Sequence, residues 1–258
     1  MLRLTDIKLP LNHDEQALEL AILDKLHISK TQLESFSMFK RGYDARNNKN
    51  ILLIYTLDVQ VSNQNELLEK FNDDPQVRIT PNMEYQFVAQ APQNLKHRPV
   101  VVGLGPCGLF AALILAQMGF NPIIIERGKE VRQRTKDTFG FWRKQGLNPE
   151  SNVQFGEGGA GTYSDGKLYT RSLKRGDVRR IFESLVHHGT TERILVEAHP
   201  HIGTNKLPKI VENMRETILK HGGEVHFDTK VTDFIINSNQ LKSIILNDSK
   251  EDVVKEIS

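Results

Sequence analysis

The sequence predicts an α/β chain in two parts, a small α+β domain followed by a three-layer domain built on a parallel sheet. Three observations predict it. Residues up to about 86 read, by hydrophobic pattern, as strand, helix, two strands, helix and strand. An apolar strand then runs straight into Gly103-Leu104-Gly105-Pro106-Cys107-Gly108, and that segment into an apolar helix. Between the two lies AQAPQNLKHRP, Ala89 to Pro99, which is polar, holds two prolines and lacks periodicity, as exposed linkers do. The expected division is therefore 1–88, a linker at 89–98, and 99–258.

The order of elements in the first part is that of a split βαβ, ferredoxin-like domain. Its first helix is signalled by Leu18, Ala21, Ile22 and Leu26 at helical spacing behind Asp14. Alternation from Ile51 through Leu53, Tyr55, Leu57, Val59 and Val61, with Thr56, Asp58 and Gln60 on the other face, is that of a half-buried strand. Asn63 with Glu66 three positions on, followed by Leu67, Leu68 and Phe71, predicts a capping box at the second helix, and Asp74-Pro75 ends it.

In the second part a strand at Val100–Val102, a helix at Cys107–Met118 stopped by Gly119, and a strand at Pro122–Glu126 make a βαβ start, which implies parallel strands. Further on, Leu207, Ile210, Val211, Met214 and Ile218 form one helical face, capped by Thr204 and ended by Gly222-Gly223. Short strands follow around Val225, Phe227, Val231, Phe234 to Ile236 and Leu241 to Leu246, with a turn at Asn237 to Gln240.

The pattern Gly103-x-Gly105-x-x-Gly108 gains its meaning from standing between strand and helix. Gly103 permits the tight turn, Gly105 lets backbone approach a pyrophosphate, and Gly108 lets helix and strand pack closely. The helix amino terminus beyond them offers free N–H groups to an anion. Glu126, 23 positions after Gly103, ends the second strand, where a carboxylate accepts from both ribose hydroxyls and repels the 2′-phosphate of NADP. This is the fingerprint of an FAD/NAD(P)-binding, Rossmann-like domain, and by itself it does not separate FAD from NAD. Cys107 sits in a small-residue slot at the same turn, and without a second cysteine to resolve an oxidised form it reads as packing rather than redox chemistry.

Composition narrows the class. A chain of 258 residues with 38% hydrophobic content can bury a sizeable core. Lys+Arg 34 against Asp+Glu 32 gives a mixed surface that points away from nucleic acid. One cysteine excludes an intrachain disulfide and a cysteine-rich metal site. The first residues lack an apolar signal core, and the longest apolar stretch is too short to span a bilayer, so the expected setting is cytoplasmic and free of the membrane.

The segment after Glu126 is more specific. Glu126-Arg127-Gly128 leads through Arg134 and Phe141-Trp142 to Ser151-Asn152-Val153-Gln154-Phe155-Gly156-Glu157-Gly158-Gly159-Ala160-Gly161-Thr162, then Ser164-Asp165-Gly166-Lys167-Leu168. With Asp44-Ala45-Arg46 and His201-Ile202-Gly203-Thr204, these residues resemble a bacterial family of FAD-dependent dehydrogenases related in fold to the glutathione-reductase-type flavoproteins. The resemblance implies FAD, with Gly103, Gly105, Pro106, Cys107 and Gly108 at the pyrophosphate and Glu126 at the adenosine ribose. It places Arg127 and Arg134 near adenine and phosphate, the loop Gly158, Gly159, Ala160, Gly161 and Thr162 on the flavin side, and Val231 where strand backbone meets adenine. The implied function is an FAD-dependent oxidoreductase of unidentified small-molecule substrate, with NAD(P)H a candidate electron donor. The resembling family continues for a comparable length beyond Ser258. The chain is therefore expected to be an amino-terminal portion, ending at the start of an inserted substrate region and holding FAD mainly through its ADP half.

The glycine loop also makes chemical sense without the family. Few side chains obstruct a planar ligand there, and consecutive N–H groups can solvate an anion, while Val153, Phe155, Tyr163 and Leu168 anchor the loop to a core. His199, His201, Asp165 and Lys167 are weighed as acid–base groups but read better as loop hydrogen-bonders. His187 and His188 read as helix-end groups, and Trp142 as core or interface packing. Lys40-Arg41-Gly42-Tyr43 opens like an RNA-recognition signature that Asp44-Ala45-Arg46 does not continue. The alternative to an oxidoreductase is an FAD-containing, RNA-associated or RNA-modifying protein that uses the first domain as its binding module.

Overall fold

A computed structural model describes residues 1–168, 176–203, 205–248 and 251–255. Thr204, the expected helix cap, lies outside them. The chain forms two compact units, one of residues 1–85, 168–179 and 192–200, the other of 86–167, 180–191 and 201–258. The units are thus interleaved, where a contiguous division at 88 and 99 was expected, and the stretch 89–98 groups with the second unit. Local reading cannot foresee this, because it rests on pairings such as Ala198 N–H to the Arg41 carbonyl, 2.9 Å, made by residues far apart in sequence.

The first unit contains β1 (Leu2–Pro10), α1 (Ala17–Leu26), β2 (Leu33–Asp44), β3 (Leu52–Val61), α2 (Gln64–Lys70) and β4 (Val77–Ile79). Its four strands are antiparallel in the order β2-β3-β1-β4. Along β3 every second residue, Leu53, Tyr55, Leu57, Val59 and Val61, is buried, as period-two alternation requires. They meet Ile22 and Leu26 of α1 and Leu67 of α2 in one core. Asp14 Oδ1 accepts from Ala17 N–H at 2.8 Å, as expected of a helix-start side chain. The capping box at α2 is not made. Asn63 turns its amide toward Glu66 Oε2 at 3.4 Å, and neither side chain caps a backbone N–H.

The second unit begins with β5 (Val100–Val102), α3 (Pro106–Gln117), β6 (Ile123–Ile125) and α4 (Val131–Trp142). Then come α5 (Val178–His187), whose first two residues group with the first unit, and α6 (Arg193–Val196), which belongs to that unit. The second unit resumes with α7 (Leu207–Lys220), β7 (Glu224–His226), β8 (Thr229–Asn237), β9 (Gln240–Asp248) and β10 (Glu251–Lys255). β5, β6 and β7 form a parallel sheet, and β8, β9 and β10 an antiparallel one.

The chain is thus an α/β protein with a parallel sheet, and one layer of the second unit differs from a helix-covered arrangement. α3 and α7 pack together on the helical side. Ile125 of β6, Ile244 and Leu246 of β9, with Val100, Ile123 and Val231 around them, form a separate cluster that joins the parallel sheet to the antiparallel one. α3 buries Leu109, Ala112, Leu113 and Ala116, each large side chain worth about 1.5–3 kcal/mol of transfer free energy. Gly119, at φ +82°, ends it as expected, because that conformation suits a residue without Cβ. α7 buries Ile210, Val211, Met214 and Ile218, four of the five residues of the expected face. Among the described residues, no helix is long and apolar enough to cross a membrane.

Candidate functional site

Three glycines of the first loop meet three different physical demands. Gly103 adopts φ +91° as the chain leaves β5, a left-handed turn that side chains resist. Gly108 has no room for a Cβ, which would lie 1.9 Å from the Gly103 carbonyl oxygen. Gly105 is different, with φ −71° and nothing within 4 Å of where a Cβ would stand. It faces open space beside the amino terminus of α3, where Pro106 is the first helical residue and early N–H groups lack intrahelical acceptors. Cys107 is exposed at this helix start.

The second glycine-rich loop stands against the first. Gly158 N–H donates to the Leu104 carbonyl at 2.7 Å. A Cβ on Gly159 would lie 3.0 Å from Pro106 Cδ and 3.2 Å from Gly105 Cα, and one on Gly161 3.6 Å from Pro106 Cγ. Ala160 is exposed at the start of a short 3-10 turn, Ala160–Tyr163, while Thr162 is buried. Segments some fifty positions apart therefore meet backbone to backbone with almost no side chains between them. Gly158 and Gly159 are buried there, and the N–H groups of Glu157, Gly158, Gly159 and Thr162 are taken by carbonyls, so the row of free donors expected of this loop is not offered.

Glu126 lies at the end of β6 and is buried, 3% exposed. Its Oε2 accepts from Leu104 N–H at 2.6 Å and its Oε1 from Gly128 N–H at 2.8 Å. It thus ties the first loop to the turn after β6, and each oxygen keeps further lone-pair capacity. Arg127 pairs with Glu150 and stacks its guanidinium 3.9 Å from the centre of the Phe155 ring. Beside it a 420 Å³ cavity is lined by Arg127, Lys129, Glu150 and Lys230 among others. Val231 is half-buried in β8 and packs into the cluster around Ile125.

Arg134 corrects the expectation most sharply. Placed by the resemblance near adenine and phosphate, it is instead fully buried. It donates to the carbonyls of Asn152, Val153, Glu157 and Gly159 and to Thr162 Oγ1, so its five N–H groups are all engaged. Burial draws its pKa below the usual guanidinium value, against the opposing pull of Tyr163, Glu126 and Glu157. No donor is left for a phosphate.

Sequence reasoning missed Glu157. It is 0% exposed, and its Oε2 accepts from Val131 N–H at 2.7 Å, capping the amino terminus of α4. Arg215 Nε lies 3.1 Å from Oε1 without hydrogen-bond alignment. Burial pushes the carboxyl up to about 7, despite the Val131 N–H and Arg215. The available signal was a charged residue inside a run of glycines.

Because the folded-state pKa is raised, stability from this group is fully present below about pH 4.5 and is lost as pH rises through about 7. The span is of order 3 kcal/mol. His188, whose pKa burial lowers, contributes stability of the opposite slope, present above about 6.5 and lost on acidification. Glu157→Gln keeps an acceptor for Val131 N–H. Denaturant unfolding of both proteins from pH 4.5 to 7.5 should show the difference in stability shifting by roughly 2–3 kcal/mol in favour of the variant as pH rises; parallel pH profiles would refute it.

The remaining residues weighed from sequence fall elsewhere. Trp142 is 54% exposed, with Phe139 and Tyr163 as ring neighbours, so it is not core. Asp165 and Lys167 are exposed and pair with each other at 3.1 Å. His201 is exposed, in an isolated bridge with Lys167. His188 is buried between the Ser184 carbonyl and Thr217 Oγ1. Among the described residues, no cluster of side chains could hold a metal ion.

Residues 1–60 match the model of a family described as a domain of unknown function, DUF8436. An uncharacterized protein of Clostridium beijerinckii is 39% identical over 246 residues, which cover 95% of this chain and 46% of that protein. The chain thus spans about half the length of the curated relative it matches. Among solved structures, the chain is similar to a glycerol-3-phosphate dehydrogenase from Bacillus halodurans complexed with FAD. The TM-score is 0.38 and the identity 15%, over 64% of this chain and 33% of that one. A glycine oxidase from Bacillus cereus gives TM-score 0.36 and 15% identity, over 62% of this chain and 55% of that one. A 3-ketosteroid dehydrogenase from Rhodococcus jostii gives 0.38 and 12%, over 65% and 46%. At these scores nothing about the chemistry of this chain follows from the likeness.

Proposed function

We propose that the second unit binds FAD, with the pyrophosphate on the wall formed by the two glycine-rich loops, and that the protein is an FAD-dependent oxidoreductase acting on a small molecule. The observation that carries this reading is Gly105. Its missing Cβ would stand in open space, at the start of a helix and flush against a second glycine-rich loop, a vacancy that packing within the chain does not require. A pyrophosphate fits such a place, since early helical N–H groups favour an anion.

In this reading Gly103, Gly105, Pro106, Cys107 and Gly108 border the pyrophosphate from one side, and Gly158, Gly159, Ala160, Gly161 and Thr162 from the other. Glu126 receives the ribose hydroxyls on the lone pairs that Leu104 and Gly128 leave free, Arg127 borders adenine, and the Val231 strand backbone lies beside it. When bound, FAD supplies two-electron redox chemistry. The chain's own contribution is to hold its dinucleotide half in place and to present backbone donors to it. NAD(P)H as electron donor belongs to the same proposal, as does a ferredoxin-like assignment for the first unit, whose strand order suits it. No observation favours the RNA-associated alternative.

Titrating the protein with FAD, and with ADP as competitor, tests the reading; saturable FAD binding displaced by ADP is expected, and failure to bind either overturns it. Glu126→Ala should weaken FAD binding roughly ten- to a hundredfold, as loss of charge-assisted hydrogen bonds of about 1.5–3 kcal/mol requires. The fold is not indifferent to this change either. The N–H groups of Leu104 and Gly128 lose their buried acceptor, at about 1–3 kcal/mol each. Unchanged affinity together with unchanged stability would remove Glu126 from both roles.

A further inference from the structure

The second glycine-rich loop carries few side chains within its glycine run, and its backbone is held by the Gly158 N–H on the Leu104 carbonyl, by the Glu157 carboxylate on Val131 N–H, and by one side chain from α4 that gathers its carbonyls. Gly156, Gly158 and Gly159 all have positive φ, and glycine backbone loses more freedom on ordering than any other. A loop so composed is mobile unless its polar groups are bound. The carbonyls of Asn152, Val153, Glu157 and Gly159 turn inward instead, to Nε, Nη2, Nη1 and Nη2 of Arg134, at 2.8, 2.6, 2.6 and 2.8 Å. Thr162 Oγ1 takes the fifth donor at 3.4 Å. The loop is shaped around this one side chain, because a Cβ on Gly156 would stand 2.4 Å from Arg134 Cδ.

We infer that Arg134 is the positioning residue of the cradle: by drawing the loop carbonyls inward on a buried guanidinium fork, it fixes the loop backbone in the shape the ligand meets, without touching the ligand itself. A carbonyl directed into the protein is a carbonyl kept away from an anionic ligand, so the same clamp removes a repulsive group from the wall and prepays the loop's ordering entropy. Lysine cannot replace it, since an ammonium offers three donors and no planar fork. The inference rests on the reading of the two loops as a nucleotide cradle, and one arm of its test stands apart from that reading.

Amide hydrogen exchange of the ligand-free wild type and Arg134→Lys is the first arm. The amides of residues 152–163 should exchange at least tenfold faster in the variant, while those of residues 109–116 in α3 keep their rates. Equal loss of protection in both segments, or none in the loop, overturns the inference. The second arm is ADP affinity, which should fall at least tenfold in Arg134→Lys; an unchanged affinity with a loosened loop also overturns it. A wild type that binds no ADP defeats the cradle reading, and the exchange arm still decides whether Arg134 holds the loop. Should the variant not fold, the nitrogen-15 NMR signal of the Arg134 Nε–H in the wild type decides. It should exchange slowly with solvent before and after ADP is added, whereas fast exchange without ligand, or protection acquired only with ADP, would overturn the assignment.

Discussion

Gly108→Val is expected to unfold the second unit or to destabilise it by at least about 3 kcal/mol. A Cβ there would sit 1.9 Å from the Gly103 carbonyl oxygen and 3.0 Å from its carbon, and 3.4 Å from Val101 Cγ1. The obstacle is backbone rather than the far end of a flexible side chain, so relief requires moving α3 off the sheet. That movement would uncover Leu109, Ala112, Leu113 and Ala116, now buried. The chain's single tryptophan, Trp142, lies in α4 of the same unit, beside Phe139 and Tyr163, so its emission reports on this unit. Chemical denaturation followed by that emission should show the transition at much lower denaturant, or absent; a wild-type midpoint would mean that helix and strand do not approach as closely as placed.

Gly105→Val, three residues away in the same motif, should do the reverse, leaving stability within about 1 kcal/mol of wild type and abolishing nucleotide binding. At φ −71° the backbone conformation is open to any residue, and nothing of the protein lies within 4 Å of the new Cβ. The side chain would fill the place where backbone is proposed to meet pyrophosphate. FAD or ADP affinity should fall at least a hundredfold, about 3 kcal/mol, since the anion would lose its close approach to the helix amino terminus. A Gly105→Val protein that binds FAD like wild type would end the assignment of the ligand to this wall. The pair separates a glycine required by the fold from one that the fold leaves free.

Much of this was legible in sequence because it is encoded locally. Alternation in β3 named its buried face, residue by residue. The spacing of apolar residues in α7 did the same, and Gly103 and Gly119 stand at positive φ where turn chemistry asked for glycine. The Asn63–Glu66 box failed although its spacing was right, because Asn63 turns its amide toward Glu66 and no backbone N–H is taken. Of the two places expected for Trp142, core or interface, its exposure removes the core, because a large aromatic is buried within a unit only where the fold offers it a place, and its own helix does not say whether one exists.

The sequence by itself determined the parallel strands around a glycine turn, the helix that follows, and the choice of residues that lets backbone stand bare there. Only the tertiary structure decided what the long polar side chains do. Arg134 reaches acceptors 18 to 28 positions away, Glu126 an amide 22 positions before it, and Glu157 an amide 26 positions before it. Periodicity and turn preference act over a few residues, within the reach of one strand or helical turn. A buried charge instead must find every one of its partners wherever the chain brings them, because leaving one unsatisfied costs more than a local preference can supply; that requirement turned Arg134 into the loop.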